Sequence, residues 1–124
     1  MDFAELWLYS NLPAYKSDFK KIEQQIKKSD VLITDGTHRI VGLMFDEKIA
    51  DSPVITVQCI RSEVAFAKQI AFANNIKIVQ HRVLSALLFQ EYTTGSCIRE
   101  REYGVIARIY AKLDRFRRLI KCRK

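Results

Sequence analysis

The sequence predicts an α/β fold: a small four-stranded mixed sheet covered by about four helices, in the order α-β-β-β-α-β-α-α. Three observations predict it. Short apolar runs bounded by turn signals recur at Val31-Leu32-Ile33-Thr34, Arg39 to Phe45, Val54-Ile55-Thr56-Val57 and Ile76 to Val79. Before, between and after these runs, apolar residues repeat at helical spacing. A chain of 124 residues, 48% hydrophobic and 28% charged, has enough apolar surface for one modest core, hence one domain.

Each element has a local reason. Residues 3–12 are apolar with mixed period, and Pro13 interrupts them. Ser17 is placed to cap a helix running to about Lys28, with Phe19, Ile22 and Ile26 on one face. Strand one ends at Thr34, where Asp35-Gly36 is a strong turn signal before strand two. Pro53 opens strand three, and Ser62 is placed to cap a helix with Val64, Ala67, Ala71 and either Phe66 or Ile70 facing inward. Asn74-Asn75 ends that helix, because Asn tolerates a left-handed terminal conformation. After strand four, Val83, Leu84, Leu87 and Leu88 mark a short helix that stops before Gly95. The last helix starts near Arg99, with the stripe Ile106, Ile109, Tyr110, Leu113, Phe116 and Ile120.

Composition excludes several classes. Four Gly and two Pro rule out collagen-like and linker-like chains. No apolar run approaches the roughly 18 residues of a membrane-spanning helix. Asp2 and Glu5 stand where the basic region of a signal peptide would be. Cys59, Cys97 and Cys122 are odd in number, far apart and outside any Cys-x-x-Cys pair, so the expectation is a reducing cytosol, with no disulfide framework and no zinc. The expected setting is a small soluble intracellular domain.

Charge is uneven. Residues 1–98 carry 11 basic and 11 acidic side chains, so the whole net charge of +7 lies in residues 99–124. That basic segment has two readings: the solvated face of an amphipathic helix, or a contact for nucleic acid, an anionic membrane or an acidic protein. Its basic surface comprises Arg108, Lys112, Arg115, Arg117, Arg118 and Lys121, followed by Arg123 and Lys124.

Conventional chemistry is absent. There is no Gly-x-Gly-x-x-Gly, Walker-type loop, His-Glu-x-x-His or Gly-x-Ser-x-Gly. His38 and His81 have no Cys or carboxylate at ligand spacing, and Asp46, Glu47 and Asp51 read as turn residues. No cofactor and no metal is expected. Aromatic residues sit at core spacing rather than interleaved with basic residues on a strand, which argues against nucleic acid. Taken alone, Asp35-Gly36-Thr37-His38 is an ordinary hairpin turn.

Its surroundings give it more meaning. The segment from Ser29 to Leu113 resembles the cytoplasmic domain of the FlhB/YscU family, the specificity-switch components of type III secretion and flagellar export systems. Family members read a hydrophobic strand, the tetrapeptide Asn-Pro-Thr-His and a second strand; here that stretch is SDVLITDGTHRIVGLMF. A Pro-initiated strand follows, matching Ser52-Pro53-Val54-Ile55-Thr56-Val57, then a helix and a strand matching Ile76-Lys77-Ile78-Val79. A leucine-rich helix matches Leu84-Ser85-Ala86-Leu87-Leu88-Phe89, and a turn into the last helix matches Gly95 to Tyr103. On this resemblance, residues 1–28 form a linker segment and helix, and residues 29–124 the cytoplasmic domain with its basic helix. The family's four preceding transmembrane helices are not in the sequence, which fits either an excised fragment or a stand-alone relative.

The departures bear on chemistry. In the family, the tetrapeptide Asn attacks its own backbone carbonyl through its side-chain amide nitrogen, and the bond to Pro breaks. Here Asp35 and Gly36 replace Asn and Pro, so the amide nucleophile is missing and the residue after it is conformationally free. Arg82 and Val83 replace a Pro-Pro pair, Ala86 replaces an Arg, and Cys59 replaces a Gly. The resemblance therefore implies a non-enzymatic docking and switch domain that does not self-cleave. Asp35, Gly36, Thr37, His38 and Arg39 would form its partner-binding loop. The implied partners are the export-gate protein, the length-ruler protein and early secretion substrates, at the cytoplasmic face of the bacterial inner membrane. Phe3, Leu6, Trp7 and Leu8 would meet a membrane surface, a neighbouring subunit or this domain's own sheet. The competing reading is a small basic nucleic-acid-binding protein using residues 99–124.

Overall fold

The computed structural model describes the backbone of residues 13–113 and the side chains from Phe19 to Leu113. Its elements are α1 (Pro13–Lys27), β1 (Val31–Thr34), β2 (Arg39–Met44), β3 (Val54–Ile60), α2 (Ser62–Ala73), β4 (Lys77–Gln80), α3 (Arg82–Gln90), a 3-10 turn (Glu100–Glu102) and α4 (Tyr103–Ala111). This is the expected order, with the 3-10 turn added before the last helix. The strands lie in the order β3-β2-β1-β4. β2 runs antiparallel to both neighbours and β4 runs parallel to β1, so the sheet is mixed.

β1 is the central strand, and all four of its residues are buried. Such a run needs helices on both faces, and it has them. Val31 and Ile33 join Val41, Leu43, Leu84, Leu88, Ile106 and Ile109 in the core beneath α3 and α4. Leu32 points the other way, into a core with Ile26 of α1, Val57, Cys59, and Val64, Ala67 and Ala71 of α2. The two inward alanines of α2, Ala67 and Ala71, leave room for that helix to lie close to the sheet. Burial, then the Glu63 charge, pushes the Cys59 thiol up to about 12, so it stays protonated and inert.

Several boundaries differ from the sequence reading, each for a local reason. α1 begins at Pro13, not Ser17; a proline suits the first helical turn, where its fixed φ fits and no N–H is needed. β3 continues to Ile60, because Gln58 is an edge-strand residue with a polar task. Its Nε2 donates to the carbonyls of Leu88 at 3.0 Å and Tyr92 at 2.8 Å, beyond the end of the hydrogen-bonded turns of α3. Ser62 is not the cap of α2: Arg61 holds that place at φ 55° without a side-chain cap. The Glu63 carboxylate instead accepts the Ile60 N–H at 3.2 Å. Asn74-Asn75 does end α2, with Asn75 at φ 57°. Ile76 then donates its N–H to the Ala71 carbonyl, which delays β4 to Lys77.

In α3, Leu84 and Leu88 are buried, but Val83 is 73% exposed and belongs to no inward stripe. The cap of α3 is His81, whose Nδ1 accepts the Leu84 N–H at 3.1 Å. Ile106, Ile109 and Tyr110 of α4 and Leu113 just beyond it are buried as expected. That helix ends at Ala111. Phe116, Ile120, the basic residues Arg115, Arg117, Arg118 and Lys121, and the apolar residues Phe3, Leu6, Trp7 and Leu8 lie outside the described residues.

A buried polar cluster fixes the turn into α4. Glu102 is 5% exposed, and the Tyr92 hydroxyl donates to its Oε2. Arg101 Nε reaches Glu102 Oε1 at 3.0 Å, and Arg101 also pairs with Glu91 at 2.5 Å. The Arg99 guanidinium lies 4.8 Å from the centre of the Tyr92 ring. Tyr92→Phe removes a hydrogen bond to a buried carboxylate, and chemical denaturation should register a loss of about 1.5–3 kcal/mol.

Candidate functional site

The loop between β1 and β2 is built from the end of β1 outward. Thr34 is buried, and its Oγ1 donates to the Arg39 carbonyl at 2.6 Å while accepting the Gly36 N–H at 3.0 Å. Asp35 then folds its side chain back over the loop. Its Oδ1 accepts three backbone N–H groups: Thr37 at 3.2 Å, His38 at 2.9 Å and Arg39 at 3.0 Å. This is the local side-chain-to-backbone bonding at which Asp excels. Gly36 sits at φ 119°, a conformation that side chains resist. Its carbonyl accepts from the Lys68 ammonium of α2.

Thr37 is exposed, and its hydroxyl lies 3.0 Å from His38 Nδ1. The His38 ring is 83% exposed, with Nδ1 3.9 Å from the second oxygen of Asp35. Its backbone, not its ring, is anchored: the carbonyl accepts the Arg61 N–H at 3.1 Å, tying the loop to the end of β3. On the other side the His81 N–H donates to the Thr34 carbonyl at 2.9 Å. The half-buried Arg39 places its guanidinium 5.8 Å from the centre of the Phe89 ring. Asp35, Gly36, Thr37, His38 and Arg39 thus form one continuous surface at the ends of β1, β3 and β4, with Lys68 beside it.

Burial pushes the Asp35 carboxyl up, but the three N–H donors and the nearby His38 outweigh it and hold the carboxyl below its ordinary value of 3.8. A depressed value means that the carboxylate's contribution to stability is complete above the ordinary value and is lost as pH falls through the folded one. The amide signals of Thr37, His38 and Arg39 should therefore hold their loop positions at neutral and mildly acidic pH. They should move toward disordered positions only below 3.8. Amide spectra recorded along an acid titration check this.

A second surface lies across the sheet, toward α4. Phe45 and Pro53 face Tyr103, Ile106, Ala107 and Tyr110 of α4 around an apolar groove of about 240 Å³, with Asp51 the one acidic side chain lining it. Tyr110 closes one wall by donating its hydroxyl to Asp30 Oδ2 at 3.1 Å, and the same oxygen accepts the Phe45 N–H at 2.7 Å. The sequence reading assigned Ile106 and Tyr110 to the core stripe, which they join. It missed the groove because Ala107 carries no periodic signal, and Phe45, Asp51, Pro53 and Tyr103 read only as strand, turn or helix-entry residues. His81, Gln58 and Lys68 were also missed, since each acts through a backbone group that no spacing rule foretells.

Of the basic surface, Arg108 and Lys112 are exposed, with Arg108 Nε donating to the Gly104 carbonyl at 3.3 Å. Asp46 accepts the Lys48 N–H at 2.9 Å and serves its own turn. No cluster of His, Cys, Asp or Glu that could hold a metal occurs among the described residues, and none of their helices is long and apolar enough to cross a membrane.

These features define a class: a three-layer α/β/α domain whose central hairpin carries a side-chain-clamped loop at the strand ends. The sequence model described as the FlhB HrpN YscU SpaS Family matches residues 16–113, and the chain belongs to that family. It is 27% identical over 92 residues to the flagellar biosynthetic protein FlhB of Bacillus subtilis strain 168, covering 74% of this chain and 26% of that one. The FlhB of Helicobacter pylori is 28% identical over 98 residues, covering 79% and 27%. The chain thus spans about a quarter of the length of the curated relatives it matches. Among solved structures, the cytoplasmic domain of FlhB from Shewanella putrefaciens superposes with a TM-score of 0.74 at 19% identity, covering 85% of this chain and 81% of that one. An EscU C-terminal domain carrying an Asn-to-Asp mutation gives 0.73 at 19% identity, covering 80% and 90%. Both are likenesses of fold.

Proposed function

We propose that this chain is a docking domain of a bacterial type III or flagellar export apparatus, held at the cytoplasmic face of the inner membrane and free of turnover chemistry. The family match over residues 16–113 carries the export assignment. The apolar groove along α4 gives docking a location, since a concave apolar patch at a surface suits an apolar segment of a protein partner. Export substrates, the length-ruler protein and the export-gate protein are the partners that family membership supplies. The loop of Asp35, Gly36, Thr37, His38 and Arg39 is the second contact face. The basic-helix reading as a nucleic-acid binder has less support, since the family match over residues 16–113 points to export.

The loop also supports an uncut chain. Self-cleavage in this family needs a side-chain amide nitrogen at position 35, and a carboxylate holds that place with one oxygen committed to three N–H donors. The domain would then stay in one substrate-specificity state. Intact mass and a denaturing gel of fresh protein test this: a single 14.4 kDa species is expected, and two fragments meeting at Asp35-Gly36 would overturn it. For docking, Ala107→Asp places a charge in the groove at an exposed helix position. Capture of early substrates should fall at least about tenfold with the melting temperature unchanged. Undiminished capture would remove the groove from the proposal.

A further inference from the structure

The sheet has two edges, and the chain treats them differently. Along β3, the segment after α3 lies against the edge. Gly95 N–H donates to the Ile55 carbonyl at 2.7 Å, Ile55 N–H to the Ser96 carbonyl at 3.0 Å, and Ile98 N–H to the Pro53 carbonyl at 2.8 Å. That edge is covered at its start, from Pro53 to Ile55, one way in which native sheets protect an edge. Along β4, no strand among the described residues pairs with the outer side.

Which peptide groups are open follows from the register. The His81 N–H bonds to the Thr34 carbonyl, and Thr34 is paired with Gln80 in the parallel ladder. Peptide groups alternate sides along a strand, so those of Lys77 and Val79 also face β1, whereas the N–H and C=O groups of Ile78 and Gln80 face outward. Among the described residues, the two most exposed large apolar side chains flank this edge in sequence: Phe72, 87% exposed, before β4, and Val83, 73% exposed, after it.

Charge identifies the occupant. From Val64 to Gln90, through α2, β4 and α3, there is no Asp or Glu, while Lys68, Lys77 and Arg82 are all present. Lys77 and Arg82 are exposed and stand at the two ends of β4. We infer that the open edge of β4 accepts an extended acidic segment of a partner protein as a fifth strand, its backbone bonding to Ile78 and Gln80 and its carboxylates meeting Lys77 and Arg82. Main-chain bonds would supply affinity and the flanking charges would set the sign of the partner. This edge lies apart from the α4 groove, so the inference stands or falls independently of substrate docking there.

The test uses the full chain and a capped heptapeptide of alternating Glu and Val, followed by amide exchange and chemical shifts. With saturating peptide, the Ile78 and Gln80 amides should gain at least about tenfold protection. A matched Lys and Val peptide should give none. Gln80→Pro deletes an outward N–H while keeping the His81 bond to β1, and should abolish binding. Lys77→Glu with Arg82→Glu changes only exposed side chains and should weaken binding at least about tenfold at low salt. Protection confined to other residues, equal binding of the Lys peptide, or full binding by the charge-reversed variant would overturn the inference.

Discussion

Replacing Gly42 by alanine is expected to cost this domain several kcal/mol of stability. Gly42 lies in β2 beside a β-bulge, where the pairing with β3 shifts between Gly42 and Leu43. A Cβ built there would stand 2.4 Å from Thr56 Oγ1, 2.7 Å from Ser29 Oγ and 2.9 Å from a methyl of Val57. These neighbours cannot retreat cheaply. The Ser29 and Thr56 hydroxyls are bonded to each other at 2.5 Å, and Ser29 Oγ also donates to the Gln25 carbonyl at 2.9 Å, at the end of α1. The added methyl must break that bridge or push α1 off the sheet. Overpacking of this kind costs about 1–3 kcal/mol, and an orphaned buried hydroxyl adds about 1–3 kcal/mol more. Urea titration of Gly42→Ala should therefore show a midpoint well below the parent's. Thr56→Ala in the same background should recover part of the loss by opening space.

The double variant Asp35→Asn, Gly36→Pro should convert an intact chain into two fragments, whereas Asp35→Asn alone should not. With Asn at 35, the side-chain oxygen can keep the three N–H bonds that Asp35 Oδ1 now accepts. The amide nitrogen then takes the place of Oδ2 and becomes the nucleophile. Its attack on the residue's own carbonyl forms a new C–N bond, and the bond to residue 36 breaks as that nitrogen gains a proton. Opposite Gly36 a faster route competes, because the Gly36 N–H can itself attack the Asn side chain and lose ammonia. A proline nitrogen has no proton to lose, which closes that route. Proline also cannot adopt the φ of 119° found here, so the loop is strained until the bond parts. Mass spectrometry should find fragments 1–35 and 36–124 from the double variant, and at most a deamidated full-length chain from the single one.

Much of the fold was legible because the signals were local. Val31 to Thr34 is bounded by turns and buried on both faces, so pattern and structure coincide. Asn74-Asn75 ends its helix through the left-handed conformation that Asn tolerates. The failures share one physical cause: which backbone group a side chain bonds is set by the folded geometry, not by spacing. Gln58 looks like the end of a strand until its amide is seen bonded to carbonyls 30 and 34 residues away. His81 looks like a spare imidazole until it caps α3, and Ser62 has the right chemistry for a cap but sits one residue inside the helix. The Asp35 loop was legible as a turn, yet its three-fold clamp was not. The groove was illegible, since its lining comes from segments more than fifty residues apart in sequence, at Phe45 and Tyr103.

The place of β1 has a mechanical consequence. Because β1 lies between an antiparallel and a parallel neighbour, a force directed along β1 would load its hydrogen bonds to β2 and β4 together, in shear. They must fail as a set, so the sheet is stiffest along β1. A pull that peels β4 outward would break one ladder bond at a time. The sheet would thus hold as a unit against a force along β1 and yield first at β4, its open margin.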